Sequence, residues 1–425
     1  MIRLFLTLAL LLPLAADATI NAASFQREVR ASADGGRYSQ YPAGDKTLIP
    51  PDRKVYFTGT FETTRSSDGK RVLQAKESVN DGFLVLTMKS IAGTCDSEAF
   101  SYGGNADGDS PAVDSYVVAD GATIGGDTGV ASRSGSGFYK ASLVYDRSYK
   151  GISNSDTKCN DPTSPDSARM ALYMSDTPHR IDYDSEVWFG FSVYIPSTWE
   201  IETGVTGNRS EAAVLEIPVG PTTGGGTTAS NSPLTLSLRT ASGTNYTSWI
   251  LKTNDSATTI NSNNDTTMTE TALGTGSIVA QGDVGVWTDW VIHFRANPFT
   301  STTNASTISG GENFSYGGNR GILQIWKSVG GARTMTQVHN VNGAPFGLVP
   351  RSGYRLVLQP RIYKYGWRKN PTTVDGPVEL GFDDIRFGCV NNAANGVGTS
   401  ACVQRAIDNG DTGYADVNPA GTAAP

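Results

Sequence analysis

The sequence is poor in the residues that bind metals and nucleic acids. Histidine occurs 3 times (His179, His293, His339) and cysteine 4 times (Cys95, Cys159, Cys389, Cys402) in 425 residues. No two cysteines stand at a C-x-x-C spacing, and the histidines lie far from them along the chain, so no zinc-binding pattern is present. Basic charge is not in excess: 34 Lys and Arg against 41 Asp and Glu leave a net charge of −7. General nucleic-acid binding needs a basic footprint and is not expected, although a local groove can be basic in an acidic protein. Past Leu14 no apolar run approaches the roughly 20 residues that a membrane span needs. No long segment carries a helical period. The Gly-, Ala- and Pro-rich C-terminus has no apolar tail of the kind that signals a lipid anchor.

What is present starts at the N-terminus. Arg3 precedes an apolar stretch from Leu4 to Leu14, broken only by Thr7 and Pro13, and Ala16-Asp17-Ala18 forms an A-x-A cleavage site. Residues 1–18 are therefore expected to be a secretory signal peptide, with the mature, secreted chain starting at Thr19. In that setting the cysteines are expected to pair. Of the three pairings, Cys95–Cys159 with Cys389–Cys402 joins nearest neighbours. N-x-S/T sequons begin at Asn208, Asn245, Asn254, Asn264, Asn304 and Asn313. They are glycan acceptors in a eukaryotic host, or chance products of a chain rich in Asn, Ser and Thr; both readings stay open.

Residues 19–50 hold few apolar clusters and form an N-terminal arm. From 51 to 390 short apolar runs alternate with Gly, Asn, Ser, Thr and Asp clusters, the pattern of an all-β sandwich of two antiparallel sheets. Residues 391–425 form a stapled tail. A strand points alternate residues to opposite faces, and several runs share one design. Val187, Phe189, Phe191, Val193 and Ile195 oppose Trp188, Gly190, Ser192 and Tyr194. Trp290, Ile292 and Phe294 oppose Val291, His293 and Arg295. Met170, Leu172 and Met174 oppose Arg169, Ala171 and Tyr173. Leu215, Ile217 and Val219 oppose Val214, Glu216 and Pro218. Leu358, Pro360 and Ile362 oppose Gln359, Arg361, Tyr363 and Tyr365. The polar faces carry Arg and Tyr where a plain solvated sheet carries Lys, Glu, Ser and Thr. Tyr offers an apolar ring with a hydroxyl and Arg a planar fork that grips a carboxylate. If these strands share a sheet, the faces merge into a groove for a carboxylated sugar.

Five segments in order resemble the jelly-roll polysaccharide lyases, the group that includes alginate, glucuronan and heparin lyases. EVWFGFSVYIPSTW resembles that family's W-Y-G-F-S-V-Y-I-P strand, VWTDWVIHFRANPF its W-H-D-F-V-F-H-V-K-W-S strand, and GILQIWKSVGG the strand that leads to a Trp and an N-G-K turn. YRLVLQPRIYKYGW resembles Y-F-K-x-G-I-Y-R, and FDDIRFG the closing strand. The resemblance spans about residues 165–388. It implies a jelly-roll (concanavalin-like) fold and cleavage of an acidic, uronic-acid polysaccharide by β-elimination. Arg169 and Tyr363 match the Arg and Tyr of the family's catalytic strands. Ala171 stands where that family has Glu, Glu216-Ile217-Pro218 where it has Gln-Ile-His, and Gln359 where it has Lys.

Elimination needs the substrate carboxylate neutralised, a base for the C5 proton and an acid for the leaving O4. Arg169, with Arg361 or Arg295, is placed to neutralise the carboxylate, and Tyr363 to serve as acid and base. His293 is the substitute base, and Glu216 is either a base or an orienter of Arg169. Gln359, Tyr173 and Tyr365 complete the expected binding face. Two other classes remain. Asp182-x-Asp184-x-Glu186 resembles the paired carboxylates of sandwich glycoside hydrolases, and the missing Gln and His fit a non-catalytic glycan-binding or cell-wall protein. No cofactor is required by these readings. Asn105, Asp107, Asp109 and Asp114 form an acidic loop with oxygen ligands for a structural calcium, or an ordinary Asx-turn loop. The partner expected is an acidic polysaccharide, with no nucleic acid or membrane, bound by a monomer.

Overall fold

The computed structural model describes residues 54–59, 88–92, 116–143, 168–174, 181, 185–199, 211–221, 232–240, 247–254, 268–273, 281–296, 321–330, 332, 334–344, 354–364, 378–391 and 401–419. The strands run in chain order as β1 (Phe57–Gly59), β2 (Met88–Ala92), β3 (Tyr116–Ala119), β4 (Ala122–Ile124), β5 (Asp127–Val130), β6 (Gly137–Leu143) and β7 (Ala168–Met174). Then follow β8 (Glu186–Ile195), β9 (Glu211–Ile217), β10 (Val219–Pro221), β11 (Leu234–Thr240), β12 (Thr247–Asn254), β13 (Met268–Ala272) and β14 (Val286–Arg295). The last are β15 (Gly321–Val329), β16 (Thr336–Ala344), β17 (Tyr354–Leu356), β18 (Gln359–Lys364) and β19 (Val378–Cys389), with helices α1 (Ala401–Asn409) and α2 (Tyr414–Val417) after them. Among the described residues no helix is long and apolar enough to cross a membrane.

Two antiparallel sheets form the jelly-roll sandwich. One has eight strands, in the order β16-β15-β14-β8-β19-β6-β3, with β1 beside the far half of β19; the other has seven, β13-β12-β11-β9-β18-β7-β2. The chain changes sheet between β6, β7, β8 and β9, and again between β16, β18 and β19. Alternation explains the core. Val187, Phe189, Phe191, Val193 and Ile195 of β8, and Trp290, Ile292 and Phe294 of β14, point inward from the larger sheet and pack with Leu215, Ile217, Leu234, Leu236 and Leu251 of the smaller. Trp249 of β12 meets Trp290 of β14 edge-on, with ring centroids 4.8 Å apart, tying the sheets together. An aromatic pair of this geometry adds ~1 kcal/mol to the area it buries.

The outer face of the larger sheet is covered too. At one end the β4–β5 hairpin brings Ile124 and Val130 against Phe138, Tyr194 and Trp287. At the other, Tyr414 and Val417 of α2 and Val55 pack on Val291 and Trp326, with Trp188 beside them. A Cβ on Gly190 would stand 1.9 Å from the Val417 carbonyl oxygen, so only glycine admits the C-terminal segment there. The Cys389–Cys402 disulfide ties α1 to the end of β19, as the nearest-neighbour pairing expects. Cys95 and Cys159 lie outside the described residues. So do the expected signal peptide and N-terminal arm, the acidic loop from Asn105 to Asp114 and every sequon asparagine except Asn254, which ends β12.

Candidate functional site

The polar face of the smaller sheet gathers most of the expected site. Gln359, Arg361 and Tyr363 come from β18 and Glu216 from the adjacent β9, where Gln359 pairs with Glu216 and Tyr363 with Ala213. On the other side Tyr363 pairs with Arg169 and Arg361 with Ala171 of β7. Directly paired antiparallel residues share a face, so the Arg169 position stands beside Tyr363; the Tyr173 position lies further along that face of β7. Tyr365 lies outside the described residues.

Arg361 is the centre of this group. Its side chain is 3% exposed and makes an ion pair through Nη1 with Glu216 Oε2. Nη1 also donates to Gln359 Oε1 at 3.0 Å. The guanidinium carbon lies 4.4 Å from the centroid of the Tyr363 ring. Nε and Nη2 are buried and have no hydrogen-bond partner among the described residues. Burying donors without acceptors costs about 1–3 kcal/mol, more for a charged group. The fold therefore holds a cation whose remaining donors call for an acceptor, and a carboxylate is the acceptor that matches an Arg fork.

His293 and Arg295, expected on the same face, are elsewhere. Both belong to β14, in the larger sheet, and His293 lies on its covered outer face. Its ring stacks on Trp188 at 3.9 Å and 4°. Nε2 lies 2.9 Å from Glu186 Oε1 and Nδ1 2.8 Å from Gln324 Oε1. Gln324 Nε2 donates to Asn340 Oδ1 at 3.0 Å, which turns Oε1 toward the histidine. Both ring nitrogens are therefore engaged by neighbouring side chains of the covered face. His293 stands in the other sheet from Arg361 and Tyr363, and the expectation that it shares their face is corrected. Alternation located its polar strand face but carries no information on which sheet the strand joins.

Glu186 is engaged in the same cluster. Arg295 Nη1 donates to its Oε2 at 3.2 Å. The His293 hydrogen bond, helped by the nearby charges of His293 and Arg295, holds the Glu186 carboxyl below the usual carboxylate range against burial. A carboxylate held ionised with both oxygens engaged is not poised as a proton donor. Asp182 and Asp184 lie outside the described residues. Among the described residues no group of three or more His, Cys, Asp or Glu is arranged to hold a metal.

Sequence reasoning missed a second group on the polar face. Glu211 of β9 is fully buried and accepts through Oε2 from Arg239 of β11 at 2.7 Å and from Lys252 of β12 at 2.8 Å. Strict alternation puts Glu211 and Glu216, five residues apart, on opposite faces. The ladder slips between them: Leu236 pairs with Leu215 but the next residue, Ser237, pairs with Ala213. Val214 is bulged out of the pairing and joins the core beside Leu215, so both glutamates reach the polar face. A glutamate at the start of an apolar strand was the one signal available.

No protein-family description and no curated protein matches the chain. Among solved structures it is similar to an endo-β-1,4-glucuronan lyase from the fungus Trichoderma reesei, at 13% identity and a TM-score of 0.40 over 78% of this chain and 98% of that one. It is also similar to an alginate lyase from Klebsiella pneumoniae, at 10% identity and a TM-score of 0.37 over 60% and 81% of the two chains. A PL-14 alginate lyase from Aplysia kurodai follows at 12% identity and a TM-score of 0.32, over 59% and 83%. These are likenesses of fold alone.

Proposed function

We propose that this chain is a secreted polysaccharide lyase that cleaves a uronic-acid polymer by β-elimination. The observation that carries the reading is Arg361: a buried guanidinium with Nε and Nη2 unpartnered among the described residues, lying over the ring of Tyr363. A uronate carboxylate accepting from those two donors has its charge neutralised, which stabilises the anion that forms when C5 loses its proton. Tyr363 takes the C5 proton and returns one to O4 as the C4–O4 bond breaks and the C4–C5 double bond forms. Glu216 keeps Nη1 engaged and so fixes the orientation of the fork. Arg169, whose position stands beside Tyr363, adds positive charge.

A second reading is supported by Pro218, which stands where the resemblance expects a histidine, and by the removal of His293 from the face: a glycan-binding protein without turnover. Incubation with alginate, glucuronan and pectate separates the two. The lyase reading expects absorbance from an unsaturated uronate end; retention on immobilised uronan without that product favours the binder.

A further inference from the structure

Arg239 and Lys252 reach toward each other's ends of the sheet from adjacent strands. Arg239 is in register with Ser248 and Lys252 with Thr235, so two steps of the same-face ladder separate them. Lys252 nevertheless reaches Glu211 at 2.8 Å, and Arg239 reaches Glu270, the residue paired with Lys252 on the edge strand β13. The two ion pairs cross above Ser237, whose Oγ is buried without a partner among the described residues, as is Oε1 of Glu211.

The two carboxylates in this arrangement differ. Glu211 is fully buried and binds both cations through one oxygen, so it fixes their positions. Glu270 is 45% exposed. It accepts from Arg239 Nη1 and Nη2 at 2.7 Å each, in the two-pronged manner of an Arg–carboxylate pair, with Lys252 Nζ at 3.4 Å. Arg239 holds the Glu270 carboxyl down to about 2 against partial burial, so it stays ionised at any working pH. A preset pair of cations carrying a removable carboxylate at the solvent edge has the form of a carboxylate site filled by a side chain. Arg361 on β18 and Arg239 on β11 lie on one face of one sheet, two strand spacings (~10 Å) apart across the strands and further separated along them, since Arg239 is level with Glu211 and Arg361 lies beyond the Ala213–Tyr363 pair.

We propose that Arg239 and Lys252 form a second carboxylate subsite, that Glu270 occupies it as a stand-in, and that a uronate of the bound polymer displaces Glu270. This rests on the uronan reading of the Arg361 site and deepens it: the substrate is a polyanion with carboxylates on several successive residues, lying across the strands. Glu270 then weakens glycan binding, where a purely structural ion pair has no such effect.

The test compares the full-length chain with Glu270→Gln and Arg239→Gln by affinity electrophoresis through gels containing alginate or glucuronan, with glucuronic acid as a single-carboxylate competitor. Thermal melting of each variant establishes that it is folded. Glu270→Gln is expected to bind both polymers about two- to fivefold more tightly at low salt, the range of an exposed ion pair, with the advantage screened out near 1 M salt. Glucuronic acid, whose carboxylate can enter the vacated subsite, is expected to compete better against Glu270→Gln than against wild type, and Arg239→Gln to bind polymer more weakly. A folded Glu270→Gln that binds polymer no better than wild type overturns the proposal. Tighter binding without unsaturated product supports the subsite and rejects the lyase reading alone. No retention of the wild type by either polymer overturns both.

Discussion

The guanidinium carbon of Arg361 lies 4.4 Å from the centre of the Tyr363 ring, two residues along the same strand and on the same face. In the proposed elimination that contact joins charge neutralisation and proton transfer in one strand of the smaller sheet.

Arg361→Gln is expected to lower elimination by about 10²–10³, the loss typical when one charge-stabilising donor is removed from a transition state. It also leaves Glu216 buried without its ion-pair partner, which costs about 3–5 kcal/mol. The double variant Arg361→Gln/Glu216→Gln removes both charges, so denaturant unfolding should show much of that stability restored while the elimination rate stays low. Recovery of the rate in the double variant would contradict the role given to Arg361.

His293→Ala is expected to leave the elimination rate within about twofold of wild type and to cost ~1–3 kcal/mol of stability, through lost hydrogen bonds and the lost Trp188 stack. Rate assays and unfolding curves on the same preparation check it. A catalytic loss without a stability loss would return His293 to the mechanism.

A buried acidic layer crosses the covered face of the larger sheet and makes stability depend on pH. Asp383 accepts from the backbone N–H groups of Arg133 and Ser134, at 2.9 and 3.2 Å. Arg133 reaches Asp289 at 2.9 Å, and Asp384 accepts from Arg386 at 3.3 Å. Burial first, and then the Asp384 charge, push the Asp383 carboxyl up to about 8; Asp384 is raised by burial as well. The native state binds this proton more tightly than the unfolded chain does. The stability gained is full below about pH 4 and is lost as the pH rises toward about 8. Asp384→Asn should flatten that slope and stabilise the protein at pH 8. Its Oδ1 can keep the bonds to Ser134 and Arg386, and Asn tolerates the positive φ of 47° at this position. Unfolding free energies at pH 5, 7 and 9 for both proteins check it.

Gly190→Ala drives a methyl group into the Val417 carbonyl and should lift α2 from the sheet. The expected result is faster proteolysis after residue 401 and a loss of about 1–3 kcal/mol, typical of an overpacked site. An unchanged digestion pattern would show that the C-terminal segment does not seal this face.

The alternation of large apolar residues on β8 and β14 made the core legible before the structure, because a sheet with one buried face imposes a period of two. It also made Gln359, Arg361 and Tyr363 legible as one polar face. Period alone carries neither strand order nor sheet membership, which is why His293 and Arg295 were grouped with residues of the opposite sheet. It breaks at a bulge, which hides Glu211; Arg239 and Lys252 follow regular alternation, and what period does not show is that β9, β11 and β12 are successive neighbours in one sheet. Nor does it tell an open face from one covered by a distant segment: Trp188 and Ser192 have the pattern of a solvent face but lie under the end of the chain and the acidic layer.

The most direct test of the central claim is the initial rate of unsaturated-uronate formation from alginate, glucuronan and pectate, for the wild type beside Tyr363→Phe. The account predicts that the wild type raises the absorbance on at least one of the three polymers. Tyr363→Phe should lose that signal while it still binds the polymer in a gel. Cleavage that releases reducing ends without the absorbance, or a Tyr363→Phe variant as fast as wild type, would contradict it.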